Sequence, residues 1–340
     1  MNHLQKHFSA RLIALAALLA APMATWAATA PDLGTAASFA VLGAGSANPP
    51  STAPDATTAV TTTGSTSLIT INGNVGSAGA VTLTSSAITG NVVLSGALTN
   101  TGSTMSGTST PLPVQVINDF NTAYTAIQSN TTNPCTQTFT EDAPGAGNTF
   151  TGQALSINPG VICFHTSATF TDSTLTLTGG PNDVWIFKVG IDGTGALTGT
   201  NFTVIMANGG DSCNVSWWVA QGATMSTSAF QGDILAGAGI TLTGLAGTPT
   251  QFNGDIMAKA GITVTDYNVL GCNASGGGNG NHCDKGHHYG QYKDHKKCNQ
   301  GVGNGPEDCD PGNSNMHNPW GSNDENGGKP GDPGRKGGNN

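Results

Sequence analysis

The chain has 340 residues with 11 basic and 20 acidic side chains, so charged residues make up only 9% of it, against about 25% in an ordinary soluble domain. A net charge of −9 argues against nucleic acid as a partner, since phosphate binding needs a clustered Lys/Arg surface. Gly (49) and Thr (46, every one before residue 266) are both abundant, which marks a repetitive architecture.

At the start of the chain, Lys6 and Arg11 precede the apolar run Leu12 to Ala21 and then the small residues Ala24, Thr25, Ala27, Ala28 and Ala30. This is the pattern of a secretory signal peptide over residues 1–30, cleaved after Ala27 or Ala30. The run falls well short of the roughly 20 residues that span a bilayer, and no later stretch is long and apolar enough to form a transmembrane segment. The mature protein is expected to be secreted, and its seven cysteines are then available for disulfides.

Residues 31–272 hold only Lys188 and Lys259 against twelve acidic residues. Leu42-Gly-Ala-Gly-Ser46 imitates the opening of a dinucleotide fingerprint, but Asn48 replaces the third Gly and Pro49-Pro50 forbid the helix that must follow. No other cofactor motif is present, and none is expected. The segments Val81-Thr82-Leu83-Thr84, Ala168-Thr169-Phe170-Thr171, Leu175-Thr176-Leu177-Thr178 and Ala223-Thr224-Met225-Ser226 alternate with the period of half-buried strands. Between them, Thr110 as an N-cap and Pro111 at the first helical position predict one helix over about 111–129, with Val116, Phe120, Tyr124 and Ile127 on a single face.

Phe230-Gln-Gly-Asp-Ile-Leu-Ala-Gly-Ala-Gly-Ile-Thr-Leu-Thr243 repeats as Phe252-Asn-Gly-Asp-Ile-Met-Ala-Lys-Ala-Gly-Ile-Thr-Val-Thr265, an offset of 22 residues. The same frame occurs as Ile71-Asn-Gly-Asn-Val-Gly76 and again, 17 residues on, as Ile88-Thr-Gly-Asn-Val92. Repeats of about 20 residues built on period-2 strands predict a parallel β-solenoid, in which each frame position becomes a ladder. Cys213 lies just before the first of the two long coils and Cys272 just after the second, so a Cys213–Cys272 disulfide would clamp them. Cys135–Cys163 would pin the loop after the helix to a strand in the same way, leaving three cysteines in the tail.

Asp233 and Asp255 share one frame position with Asn74 and Asn91. A carboxylate pair could bind calcium or cleave polysaccharide, but Asn and Asp after Gly also cap strands through side-chain-to-backbone hydrogen bonds, and the near absence of Lys and Arg speaks against an enzyme of acidic sugars. No nucleophile elbow or metalloprotease motif occurs, and the one His of this region, His165, is expected to be structural. No catalytic or metal site is expected. Residues 273–340 are Gly/Asn/His-rich with almost no aliphatic side chains, and are expected to form a disordered or loosely cross-linked polar tail. Its His282, Cys283, His287, His288, His295, Cys298 and Cys309 match no standard zinc spacing, and the tail offers a point of association with the cell surface.

The run Leu33-Gly-Thr-Ala-Ala-Ser-Phe-Ala-Val-Leu-Gly-Ala-Gly-Ser46, then Ile71-Asn-Gly-Asn-Val-Gly76, Val184-Trp-Ile-Phe187, Cys213-Asn-Val-Ser-Trp-Trp218 and the two Gly-Asp-Ile coils resembles the bacterial and fungal ice-binding-like family over about residues 32–272. The resemblance implies a discontinuous right-handed β-solenoid of triangular cross-section with one long helix alongside, and adsorption to ice through one flat face. A Thr ladder suits that role, because its strand spacing is close to the oxygen repeat of ice and low charge leaves surface water easy to order. The outward candidates are Thr82, Thr84, Thr169, Thr171, Thr224, Ser226, Thr241, Thr243, Thr263 and Thr265. The alternative is an adhesin-like surface or matrix solenoid in which Thr fills exposed strand positions for its β-propensity alone.

Overall fold

The computed structural model describes residues 28–46, 55, 57–143 and 145–272. The body of the signal peptide expected at 1–30 and the tail expected at 273–340, with its cysteines and histidines, lie outside the described residues.

Short alternating segments become strands that turn through three faces per coil, and every inter-strand ladder among the described residues is parallel. The first face is a ten-stranded sheet in the order Ser109–Thr110, Val92–Leu94, Asn74–Ser77, Phe39–Gly43, Ile256–Ala258, Asp233–Ala236, Val215–Val219, Trp185–Val189, Gly160–Phe164 and Gln137–Phe139. The second has nine strands, and the third is split into sheets of three and six. The order is discontinuous. Phe39–Gly43, the first strand among the described residues, is inserted between Asn74–Ser77 and Ile256–Ala258, so the last coil pairs with the first.

The first face is apolar on both sides: Trp185–Val189, Val215–Val219 and Gly160–Phe164 are buried at every position. Their inward side chains join a continuous interior, in which Phe150, Phe170 and Phe202 stack at 4.8 and 4.4 Å and Phe187 lies on Trp217 at 3.8 Å. Their outward side chains, Ile186, Trp218, Leu235 and Met257 among them, meet the helix Val114–Gln128. Val116, Ile117, Phe120, Ala123, Tyr124 and Ile127 are buried against that sheet, each large side chain contributing roughly 1.5–3 kcal/mol.

The helix is the expected one, but it begins later and without the expected cap. Thr110 still belongs to a strand paired with Val93, and the Leu112 N–H still donates to the Leu94 carbonyl. A residue before proline is driven out of the helical region, so Leu112-Pro113 delays the helix and Pro113 takes the N-cap place with no side-chain hydrogen bond. At the other end the fully buried Lys188 donates to the Ser129 carbonyl at 3.1 Å, Asn130 Oδ1 at 2.8 Å and the Asn133 carbonyl at 3.0 Å. A cation on the last carbonyls of a helix is favourable, although burial draws this ammonium down to about 8.

Disulfides link Cys135 to Cys163 and Cys213 to Cys272. Asp233 and Asp255 act as inter-coil staples: Asp233 Oδ1 accepts the Asp255 N–H at 2.8 Å, and Asp255 Oδ1 accepts the Cys272 N–H at 3.0 Å. Asn74 and Asn91 do the same two coils away, accepting the N–H groups of Asn91 and Thr108 at 2.8 and 2.9 Å. This is the capping chemistry anticipated for the frame position, and both carboxyls are spent on it. Cys272 Sγ lies 3.3 Å from Asp233 Oδ1, but its sulfur is committed to the disulfide and has no thiolate to offer a metal. His165 does not lie in a strand. It follows Gly160–Phe164 at a corner and pairs with Asp192 at 3.2 Å.

Candidate ice-binding face

The nine-stranded second face runs in the order Asn148–Thr151, Ala168–Thr171, Leu197–Thr200, Ala223–Ser226, Ile240–Thr243, Ile262–Thr265, Ala59–Thr63, Ala80–Thr84 and Leu98–Thr101. Inward positions such as Val81, Phe170, Met225, Leu242 and Val264 are buried. The side chains between them point out.

Register fixes what they form. One row runs Thr149, Thr169, Thr198, Thr224, Thr241, Thr263, Thr61, Thr82, Thr99, each directly beside the next. The second runs Thr151, Thr171, Thr200, Ser226, Thr243, Thr265, Thr63, Thr84, Thr101 through the same pairs of strands. Of these eighteen positions every one holds Thr except Ser226. Rungs are about 4.8 Å apart along a row and the rows about 6.6 Å apart, so the lattice extends about 38 Å from first to last rung. No outward position carries a charge.

The ten residues singled out from the sequence all occupy outward positions of this sheet. Eight more were not anticipated: Thr61, Thr63, Thr99, Thr101, Thr149, Thr151, Thr198 and Thr200. Most had broken alternation at the inward position. Thr62 disguises Thr61 and Thr63, Asn100 separates Thr99 from Thr101, and Gly199 separates Thr198 from Thr200. A Cβ on Gly199 would lie 2.6 Å from Met225 Sδ, so a larger residue there would displace the Met225 side chain, and the buried Thr62 hydroxyl is satisfied by Ser86 Oγ at 2.8 Å. Thr149-Phe150-Thr151 carried the plain Thr-x-Thr signal. Conversely, Thr174–Thr178 carries the signal but lies on the third face.

Five of the nine rungs end at the same kind of corner, and the other four at a glycine. Ser85, Asp172, Asn201, Thr227 and Asp266, each directly after a rung, adopt left-handed backbone with φ between 45° and 51°; for non-glycine residues this is uncommon and must be held by its surroundings. Ser86, Ser173 and Ser228 then turn inward and donate to the carbonyls of Thr84, Thr171 and Ser226 at 3.0, 2.8 and 2.9 Å. These bonds tie three of the nine rungs at one end, and the whole ladder lies on a packed core.

The third face is the internal comparison. Its outward positions read Thr176 and Ile205 in the three-stranded sheet and Gln231, Asn253, Leu270 and Asn72 in the six-stranded one, with Ile205 and Leu270 exposed at 44% each. Strand propensity acts equally on both faces, so it does not account for Thr on one and a mixture on the other.

Comparison with known proteins agrees with this architecture. A 91-residue stretch is 38% identical to an ice-binding protein of Nostoc sp. (strain HG1), covering 26% of this chain and 32% of that protein; the match spans about a third of that relative's length. The structure of an ice-binding protein from an Antarctic biological consortium is similar at 20% identity and a TM-score of 0.51, covering 74% of this chain and 95% of that one, a likeness of fold. An ice-binding protein from the Antarctic ascomycete Antarctomyces psychrotrophicus aligns at 23% identity and a TM-score of 0.47, over 71% of this chain and 98% of its own. Residues 55–270 match the Ice-binding-like family, most of the solenoid and well over half of the sequence, and the chain belongs to that family.

Proposed function

We propose that this protein is a secreted ice-binding protein that adsorbs to ice through the two threonine rows of its second face. The observation that carries the reading is the unbroken register of those rows over nine strands, beside a third face with the same strand demands and no such regularity. Each Thr offers a hydroxyl that can enter the hydrogen-bond pattern of the lattice and a methyl that orders or excludes the water between. Any single contact is weak, and affinity comes from many made at once by a surface whose backbone is already ordered, which lowers the entropy cost of binding. The absence of charge from the outward positions leaves no tightly hydrated group to strip.

An adhesin-like role would be served by varied side chains that recognise a particular partner, as the third face could supply, and does not call for Thr at nearly every rung. Export is supported by the signal-like segment and by two disulfides in the solenoid. Purified full-length mature protein should shape ice crystals and suppress their recrystallisation at low concentration, and complete inactivity in both assays would return the solenoid to a structural role.

A further inference from the structure

The solenoid has one step unlike the others. Neighbouring coils elsewhere on the C-terminal side are joined by short stretches of chain, such as the 22 residues between Asp233 and Asp255. The last coil meets the first across about 200 residues of sequence, as in the pairs Ser65 with Asp266 and Thr70 with Asn268, 201 and 198 residues apart. Closing a non-local contact costs more chain entropy than extending a local stack, so this seam is where the solenoid opens most readily. It also crosses the threonine face. Thr263 beside Thr61 and Thr265 beside Thr63 join six strands on one side to three on the other.

On the third face the seam has two registered pairs, Val269 with Ile71 and Leu270 with Asn72, beside the Asn268 side chain that accepts the Thr70 N–H. Just beyond, the Gly271 N–H donates to the Asn72 carbonyl at 3.1 Å. A Cβ on Gly271 would lie 2.6 Å from Ala40 Cβ, so this segment wedges directly against the N-terminal side. The next residue is Cys272, bonded to Cys213 two coils back across 59 residues. Cys213 and Cys272 are both part-exposed, as is Cys135 of the other disulfide, whose partner Cys163 is fully buried.

Resting on the ice-binding reading, we infer that the Cys213–Cys272 disulfide is an export-dependent lock on the ice face, which becomes a continuous nine-rung lattice only once the two thiols are oxidised. In forming the S–S bond the thiols give up two electrons and two protons to a disulfide oxidant of the exported compartment, which becomes a dithiol. In a reducing compartment, thiol reductants hold the pair open. Without the bond the end of the last coil is free to lift from Asn72 and Ala40, and the lattice divides into six rungs and three.

The test compares wild type with Cys213→Ser/Cys272→Ser and Cys135→Ser/Cys163→Ser, all as full-length mature chains, by amide hydrogen exchange and by ice-growth inhibition. The lock requires about tenfold or greater loss of protection in residues 61–72 and 256–272 of the first variant, with residues 148–207 unchanged, and a severalfold fall in inhibition. The second variant should keep seam protection. If the first variant folds poorly, wild type under a mild dithiol provides the same comparison. Unchanged seam protection overturns the lock whatever the ice assay gives, and an opened seam with full inhibition overturns its link to the ice face. An oxidised wild type with a protected seam and no ice activity would instead refute the ice-binding reading and leave the seam result standing by itself.

Discussion

Ser226 is the single departure from threonine in the two rows, near the middle of the longer side. It lacks one methyl at a position where the rest of the lattice supplies one. Ser226→Thr should therefore raise ice-growth inhibition at equal concentration with little change in melting temperature; a fall would show that the site tolerates, or needs, the gap. Asp233 and Asp255 give a prediction of a different kind. Burial raises both, and the neighbouring Asp255 carboxyl drives Asp233 further; Asp255 reaches about 7 and Asp233 goes well above the carboxylate range. Their folded pKa values exceed the unfolded value near 3.9, so the stability they contribute is full below about pH 4 and lost as pH rises through about 7 and beyond. Asn already occupies the same frame position at Asn74 and Asn91, so Asp233→Asn/Asp255→Asn should fold, melt higher at pH 8 than wild type, and flatten the decline between pH 5 and 8. A wild-type melting temperature constant over that range would contradict it.

The helix and its anchor show what an element owes to residues far away in sequence. Its apolar face was legible from the spacing of Val116, Phe120, Tyr124 and Ile127, because that spacing is a local property. Its start was not, because Pro113 and the continuing ladder bond of Leu112 outweigh a cap read from Thr110-Pro111. Nor was the role of Lys188, which depends on three acceptors 55 to 59 residues earlier. Lys188→Ala would leave those acceptors without their donor in a buried site, and a loss of about 2–4 kcal/mol in denaturant unfolding is expected; a loss under about 0.5 kcal/mol, typical of a surface change, would mean the helix end is held by other means. The strands divide in the same manner. Val81–Thr84 and Ile240–Thr243 announce themselves by clean alternation, whereas Thr61-Thr62-Thr63 and Thr198-Gly199-Thr200 acquire their facing only from neighbours in the stack.

For the molecule as a whole, repeat length and glycine corners made a solenoid legible, while membership of a face was not, since Thr174–Thr178 and Ala168–Thr171 look alike and lie on different sheets. Facing is decided by coil closure and register, both non-local. The discontinuous order, with Phe39–Gly43 inserted beside the last coil, likewise leaves no mark in any short stretch of sequence. A chain ending at Cys272 retains both solenoid disulfides and every core residue, and should unfold cooperatively at the temperature of the full chain; loss of its cooperative transition would assign residues 273–340 a part in folding. The central claim is that the two rows are the surface that meets ice. It is tested most directly by placing one bulky side chain at a time on each face: Thr241→Tyr and Thr82→Tyr on the rows, and Thr176→Tyr on the third face, with fluorescently labelled protein measured for adsorption to a growing ice crystal. Adsorption should fall severalfold for both row variants, on either side of the seam, and stay at the wild-type level for Thr176→Tyr, with melting temperatures nearly equal throughout. Full adsorption by the row variants, with loss confined to Thr176→Tyr, would move the ice-binding surface to the other face.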